Sequence, residues 1–192
     1  VRLQRVGEVS GTDKAHPHTY LPHYEDEISR LDRPGGGVLL ELGVLDGAST
    51  AMWRRWLPPS WVVIGLDIEH KEPVAGTLFV HGPQDDPAAV QAAADLAPGG
   101  LTVVVDDASH ESEKTIRSFE LLWPHLQPGG LYFVEDLRTS YHLLWNDYPG
   151  PTIMEHLKGL ADRVHDEGSE YACVKIWPGL GLVQKATPTT GG

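Results

Sequence analysis

The chain has 192 residues, of which 41% are hydrophobic and 22% charged, and carries a formal net charge of −12. That is the profile of a soluble globular chain with mass enough for one ordinary hydrophobic core. A surface this acidic repels phosphate backbones and anionic lipid, which argues against nucleic acid and membrane as partners. The single cysteine, Cys173, rules out an intrachain disulfide, suits a reducing cytoplasm and reads as a small buried apolar residue. With no run of ~18 apolar residues and no signal-like N-terminal stretch, a cytoplasmic location is expected.

In chain order, residues 1–20 read as polar and irregular, and include Gly11-Thr12-Asp13-Lys14, His16, His18 and Tyr20. Pro22 can open a helix with Tyr24, Ile28 and Leu31 at helical spacing, ended by Pro34-Gly35-Gly36-Gly37. Val38 to Leu42 is a short apolar run of the kind that forms a buried strand. A helix over 48–57 follows, stopped by Pro58-Pro59. Trp61 to Asp67 and the weaker Thr77 to His81 read as strands, and Asp85 to Leu96 as an Ala-rich helix with acidic residues at its start.

Leu101 to Asp106 is the most β-like segment, and Glu111 to Leu126 is an amphipathic helix with Ile116, Phe119, Leu122 and Trp123 on one side. Pro128-Gly129-Gly130 reads as a turn before a fifth strand, Leu131 to Val134. Residues 137–150 are loop-like, 151–167 helical, and Tyr171 to Trp177 with Leu180 to Lys185 form a closing hairpin around Pro178-Gly179. Five strands alternating with helices, then a hairpin, predict a mostly parallel seven-stranded α/β sheet with helices on both faces. No internal repeat or long linker divides the chain. A single domain over 1–192 is expected, with 1–34 as an N-terminal cap and substrate segment and 187–192 as a disordered tail.

In such a sheet, ligands bind beyond the carboxyl ends of the strands. The first strand ends in Glu41-Leu42-Gly43-Val44-Leu45-Asp46-Gly47-Ala48-Ser49. Its two glycines permit a sharp turn and close backbone approach, and the helix opening near Ser49 aims N–H groups at a ligand. This is not the dinucleotide G-x-G-x-x-G, and a plain strand-to-helix turn explains it about as well. Asp67 ends the second strand ~20 residues on, where an acidic side chain suits two ribose hydroxyls. Together these favour an adenosine-type ligand, and S-adenosylmethionine over NAD.

The fourth strand leads into Asp106-Asp107-Ala108-Ser109-His110, and the fifth into Glu135-Asp136. Four carboxylates and an imidazole therefore gather at one sheet edge. Like charges this close repel unless a cation joins them, and carboxylate oxygens with water suit a hard ion such as Mg²⁺ or Mn²⁺. Helix capping accounts for Ser109 but leaves the rest unexplained. His110, beside this cluster, is a candidate base.

Glu41-Leu42-Gly43-Val44, Val105 to His110 and Gly129 to Asp136 resemble the macrocin and mycinamicin sugar O-methyltransferases, bacterial enzymes that methylate deoxysugar hydroxyls of macrolides and related antibiotics. Gly11-Thr12-Asp13-Lys14 with His18, Tyr20 and Tyr24 is similar to the segment before that family's catalytic domain, and the closing Ile176-Trp177-Pro178-Gly179-Leu180 to its last hairpin. The resemblance implies a Rossmann-like class I methyltransferase domain. It implies a cytoplasmic enzyme dependent on S-adenosylmethionine and Mg²⁺ that methylates a sugar hydroxyl of a glycosylated natural product. A homo-oligomer is compatible with it.

By position, the resemblance implies that Asp107, Glu135 and Asp136 are metal ligands and that His110 is the general base. It puts Glu41, Ser49, Asp67 and Asp106 at cofactor contacts, together with Gly43 and Gly47 of the loop and Gln84 and Asp85 near the adenine. Ala108 stands where the family usually has Gly, and Pro83 where an acidic residue is expected. Tyr20, His142 and Trp145 are candidates for the acceptor site, since aromatic faces suit sugars and flat polyketides. Tyr24, on a helical face, reads as core, as does Trp123, while Trp53 and Trp56 read as core or surface packing. The competing readings are a metal-dependent methyltransferase of a phenol or catechol and a cephalosporin-hydroxylase-like oxygenase, which needs iron ligands such as two His and a carboxylate. A non-catalytic interaction domain is a further reading, and the full set of carboxylates with His110 argues against it.

Overall fold

The computed structural model describes residues 2–188; residues 189–192, and with them most of the tail expected to be disordered, lie outside the described residues. Two helices come first, α1 (Leu3–Ser10) and α2 (Leu21–Ile28), followed by β1 (Val38–Leu42), α3 (Ala48–Trp56), β2 (Val62–Asp67), β3 (Leu78–His81) and α4 (Pro87–Asp95). Then come β4 (Leu101–Asp106), α5 (Ser112–Leu122), β5 (Leu126–Val134), α6 (Ile153–Arg163), β6 (Tyr171–Trp177) and β7 (Leu180–Lys185). The seven strands form one sheet in the order β3-β2-β1-β4-β5-β7-β6. The first five strands pair in parallel, and β7 runs antiparallel to both β5 and β6.

Strand alternation divides the core in two. Leu40, Leu42, Val104, Tyr132 and Val134 face one side, where they meet Ala93 of α4, Phe119 of α5 and Leu157 of α6. Leu39, Val103, Val105, Leu131 and Phe133 face the other, against Leu3 of α1, Tyr24 of α2 and Trp53 of α3. Such period-two burial on both faces is what helices on both sides of a parallel sheet demand.

Two readings of the sequence are corrected. The N-terminal segment is not irregular: α1 covers Leu3–Ser10. Gly7, which weakens the helical signal in the sequence, is what lets α1 seat. A Cβ there would lie 2.3 Å from Leu21 Cδ1 and 3.2 Å from Met52 Sδ. The turn expected at Pro128-Gly129-Gly130 is instead inside β5, which starts at Leu126 and slips register against β4 between Leu101 and Val103. Gly129, at φ +75°, lies within the slipped stretch. Asp86 caps α4, accepting from Ala88 N and Ala89 N, and Thr152 with Glu155 forms a capping box on α6.

His156 on α6 sits edge-on to Phe119 at 5.4 Å, and its buried Nε2 has no hydrogen-bond partner. Burial holds this imidazole below its ordinary range. The unfolded chain therefore takes up a proton that the folded chain resists, so stability is intact above about pH 6.5 and falls as the pH drops below it. His156→Phe is expected to narrow the difference in melting temperature between pH 8 and pH 5.5 by roughly 2 °C. Thermal melts at the two pH values check this; an unchanged difference would mean the ring is not a source of acid sensitivity.

Candidate functional site

The strand order reverses between β1 and β4, and there the carboxyl ends of the strands open into a crevice. The parallel register puts Leu42 beside both Leu66 and Asp106, and Asp106 beside Val134. The ladder runs one residue further, with Gly43 N donating to Leu66 O, Asp107 N to Leu42 O and Glu135 N to Asp106 O. Glu41, Asp67, Asp106 and Glu135, at or next to the ends of β1, β2, β4 and β5, thus arrive within about two residues of one level through the register.

A cavity of about 410 Å³ opens there, bordered by Asp13, Ser49, Asp67, Asp107, His110 and Asp136 among others. A second, about 390 Å³, is lined in part by Leu66, Pro83, Gln84, Asp85 and Ser109. The two share Gly43, Asp67, Ile68 and Ala108, so they form one cleft with an apolar end and a charged end. Gly43 lies at the junction with φ +84°, and a Cβ on it would fall 2.3 Å from Asp107 O and 2.8 Å from Ala108 Cα. The loops after β1 and β4 therefore touch only because this residue has no side chain.

Of the residues expected to meet a cofactor, some line the cleft and others brace it. Ser49 lies in the first turn of α3 at the cavity wall, and Gly47 starts that helix in the left-handed conformation. Asp67 borders both cavities, but its oxygens accept from Val44 N (2.8 Å), Leu45 N (3.1 Å) and Glu69 N (2.8 Å). It holds the glycine loop as well as facing the cleft. Gln84 lines the apolar end while its amide donates to Asp106 Oδ1 and accepts from Ser109 N, both at 2.9 Å.

Asp106 and Glu41 are wholly interior. Asp106 also accepts from Ser118 Oγ (2.6 Å) and Tyr132 OH (3.1 Å), and burial pushes its carboxyl up to about 6. Glu41 accepts from Thr50 Oγ1 (2.6 Å) and Trp53 Nε1 (2.9 Å), and burial raises its carboxyl too. Trp53, read from the sequence as core or surface packing, is core, and it also serves Glu41.

The charged end has a distinctive geometry. One ligand atom each from Asp107, His110 and Asp136 lies within 4.8 Å of the others. His110 Nε2 is 3.5 Å from Asp136 Oδ2 and 3.9 Å from Asp107 Oδ1. His110 and Asp136 both hold positive φ, 58° and 52°, a conformation non-glycine residues seldom take. Thr139 braces both, its hydroxyl within hydrogen-bond reach of His110 O (3.2 Å) and Asp136 O (2.8 Å).

Glu135, expected in the same ligand set, is 4% exposed and engages Lys14 and the hydroxyl of Tyr24 (2.5 Å). Its carboxylate is not part of the clustered trio. Tyr24 is thus core, as read, with a polar tip the sequence did not reveal. Tyr20 is buried and donates to Asp136 Oδ1 at 2.9 Å, so it braces a carboxylate where an acceptor contact was expected. Gly179 makes room for it, since a Cβ there would lie 2.5 Å from the Tyr20 hydroxyl. His142 and Trp145 meet each other edge-on at 6.0 Å, and neither lines the cleft. His18 stacks on Tyr20 and comes within 3.9 Å of Asp136 but stays outside the trio, so the described residues cluster one histidine, not two.

Sequence reasoning missed Lys14, Thr139 and the carboxylate-binding roles of Tyr20 and Tyr24. Lysine, threonine and tyrosine far along the chain carry no local signal of the carboxylate they meet. Asp13 and Lys71 at the cleft wall were also missed.

No known family profile matches the chain. It is 37% identical over 172 residues to 8-demethyl-8-alpha-L-rhamnosyl tetracenomycin-C 2'-O-methyltransferase of Streptomyces olivaceus, covering 81% of this chain and 43% of that one. It is 37% identical over 206 residues to demethylmacrocin O-methyltransferase of Streptomyces fradiae, covering 91% and 50%. The chain is a relative of the antibiotic sugar O-methyltransferases. It spans half or less of the length of these curated relatives. The methyltransferase MycE of the mycinamycin pathway, solved with Mg, SAH and mycinamycin VI, superposes on all of this chain with a TM-score of 0.87 at 27% identity, over 56% of its own length. The fold is that of a class I methyltransferase.

The contact at Gly43 can be tested directly. Gly43→Ala is expected to lose about 2 kcal/mol or more through strain and backbone clash. Gly168→Ala, also at positive φ but with nothing within 4 Å of its Cβ, should lose only about 1 kcal/mol. Denaturant melts of the two variants provide the comparison, and equal losses would mean the loops do not depend on that approach.

Proposed function

We propose that the chain carries the catalytic site of an S-adenosylmethionine-dependent, Mg²⁺-dependent O-methyltransferase acting on a sugar hydroxyl of a glycosylated natural product. The observation that carries this reading is the convergence of Asp107, His110 and Asp136 at the charged end of a cleft beside the α3 N-terminus. Relatives named for methylation of sugar-bearing antibiotics support the choice of acceptor class. The acidic charge favours a small-molecule acceptor over nucleic acid, and the absence of a long apolar helix among the described residues fits a cytoplasmic setting.

The donor set suits a hard divalent ion. Asp107 and Asp136 are both partly exposed toward the cleft and offer oxygen ligands. Asp107 and Asp136 would hold the ion from the cleft side, with Glu135 the third carboxylate behind them. When bound, the ion supplies Lewis-acid stabilisation to an alkoxide developing on the acceptor.

The chain's own residues do the rest. The apolar end of the cleft, with Leu66, Ile68 and Pro83, takes the adenine, while Asp67 and the α3 N-terminus with Ser49 hold the ribose and amino-acid portions. An alkyl hydroxyl is a poor nucleophile at neutral pH, so it must lose its proton as the methyl group arrives. His110 Nε2 takes that proton, and the imidazolium formed faces Asp107 and Asp136. The fixed backbone of His110 and Asp136, braced by Thr139, orients both groups before the acceptor binds. The segment carrying α1 and α2 acts as a cap at this end, with Asp13 at the cleft wall and Tyr20 on Asp136.

Calorimetric titration with S-adenosylhomocysteine, with and without Mg²⁺, tests the donor site; no binding in either medium would remove the basis of the assignment. His110→Ala is expected to lower kcat by about 10²-fold or more while S-adenosylhomocysteine affinity stays within about twofold. Turnover with a rhamnosylated polyketide against its aglycone decides between a sugar and a phenol acceptor. Methylation of the aglycone alone would favour the phenol.

A further inference from the structure

Lys14 has no part in the mechanism above, yet it is an almost fully buried cation at the site. It is 1% exposed, and comes from the segment joining α1 to α2. Its ammonium bonds Asp107 Oδ2, lies 3.0 Å from Glu135 Oε1 and 3.9 Å from Glu41 Oε1. Burial opposes the charge on Lys14, but Glu135, Asp107 and Glu41 together outweigh it and hold the ammonium well above the ordinary lysine range. An ammonium has three N–H groups and accepts nothing, so only carboxylates or other acceptors can satisfy it here.

Asp107 is the link between this interior cation and the cleft. One of its oxygens meets Lys14, while the other faces His110 across 3.9 Å. Two of the three carboxylates expected around a divalent ion, Asp107 and Glu135, are therefore already engaged by one cation, Lys14. Without that cation, the buried Glu135 would keep only the Tyr24 hydroxyl as a partner and would face the partly exposed Asp107 with no positive charge between them, which is costly.

We propose that Lys14 is a positioning residue that serves as a built-in cation. It holds Asp107 and Glu135 in place when no divalent ion is bound, and the ion must then share those carboxylates with it. Lys14 thus separates folding from ion binding and limits ion affinity, because two cations within a few ångströms repel. This rests on the reading of Asp107 and Asp136 as the groups that hold the ion.

The test uses Mn²⁺ as the probe, with wild type, Lys14→Met and Lys14→Arg, each expressed in Mn²⁺-supplemented medium and then divided into chelated and Mn²⁺-saturated samples. Wild type should melt within about 3 °C of the same temperature in both. Lys14→Met should melt roughly 10 °C lower when chelated and recover at least half of that with Mn²⁺, and its Mn²⁺ affinity, read by electron paramagnetic resonance, should rise about tenfold. Lys14→Arg keeps the charge and should restore resistance to chelator. If wild type binds Mn²⁺ but Lys14→Met shows no stronger Mn²⁺ rescue and unchanged affinity, Lys14 is an ordinary structural ion pair and the proposal fails alone. A Lys14→Met protein that is insoluble even with Mn²⁺ supplied also overturns it. Failure of wild type to bind Mn²⁺ overturns both the ion site and the proposal.

Discussion

A parallel sheet delivers the ends of its strands to one edge, and here that edge is acidic. Glu41, Asp67, Asp106 and Glu135 arrive together because Leu42, Asp106 and Val134 are in register. Such a concentration of charge is stable only if each carboxylate is answered. Asp67 is answered by backbone amides, Asp106 by Ser118, Tyr132 and Gln84, Glu41 by Thr50 and Trp53, and Glu135 by Lys14 and Tyr24. Helices on both faces and the N-terminal segment all contribute partners.

This division of labour determines what remains for chemistry. With the interior carboxylates satisfied, Asp107 and Asp136 present oxygen to the cleft with His110 against both. Each is steadied from behind: Asp107 by Lys14, Asp136 by Tyr20, and the backbone of His110 and Asp136 by Thr139. The left-handed conformations at His110 and Asp136 are strain the surrounding contacts maintain, and strain of that kind gathers where side chains must be aimed. The site is thus held in a set direction before any ligand arrives.

The two ends of the cleft differ in kind. One is apolar, between Leu66, Ile68 and Pro83, and the other is ringed by charge. The proposed purine and reaction centre call for those two environments, and Gly43 joins the two ends by letting the loops after β1 and β4 touch. The rim nearest His110 leads into a segment where Tyr141, Leu143 and Leu144 are exposed. That segment is tied to the site through Thr139 and Asn146, whose amide donates to Thr139 O at 2.7 Å.

The sequence by itself determined the strands, their mostly parallel arrangement, the closing hairpin and the residues at each strand end. Apolar runs and glycine turns are local signals that survive without neighbours. It read the α1 segment as irregular, because Gly7 lowers helix propensity and is favoured only by its packing against Leu21 and Met52. It misplaced the start of β5, because Pro-Gly-Gly looks like a turn whether or not a strand continues through it. Above all, it could name the acidic residues of the site but not rank them. Which carboxylates are spent on structure and which face the cleft is decided by partners far along the chain, such as Lys14 for Asp107, 93 residues apart, and Tyr24 for Glu135, 111 apart. Only tertiary packing brings those groups within a few ångströms, and electrostatic neutralisation is settled at that range.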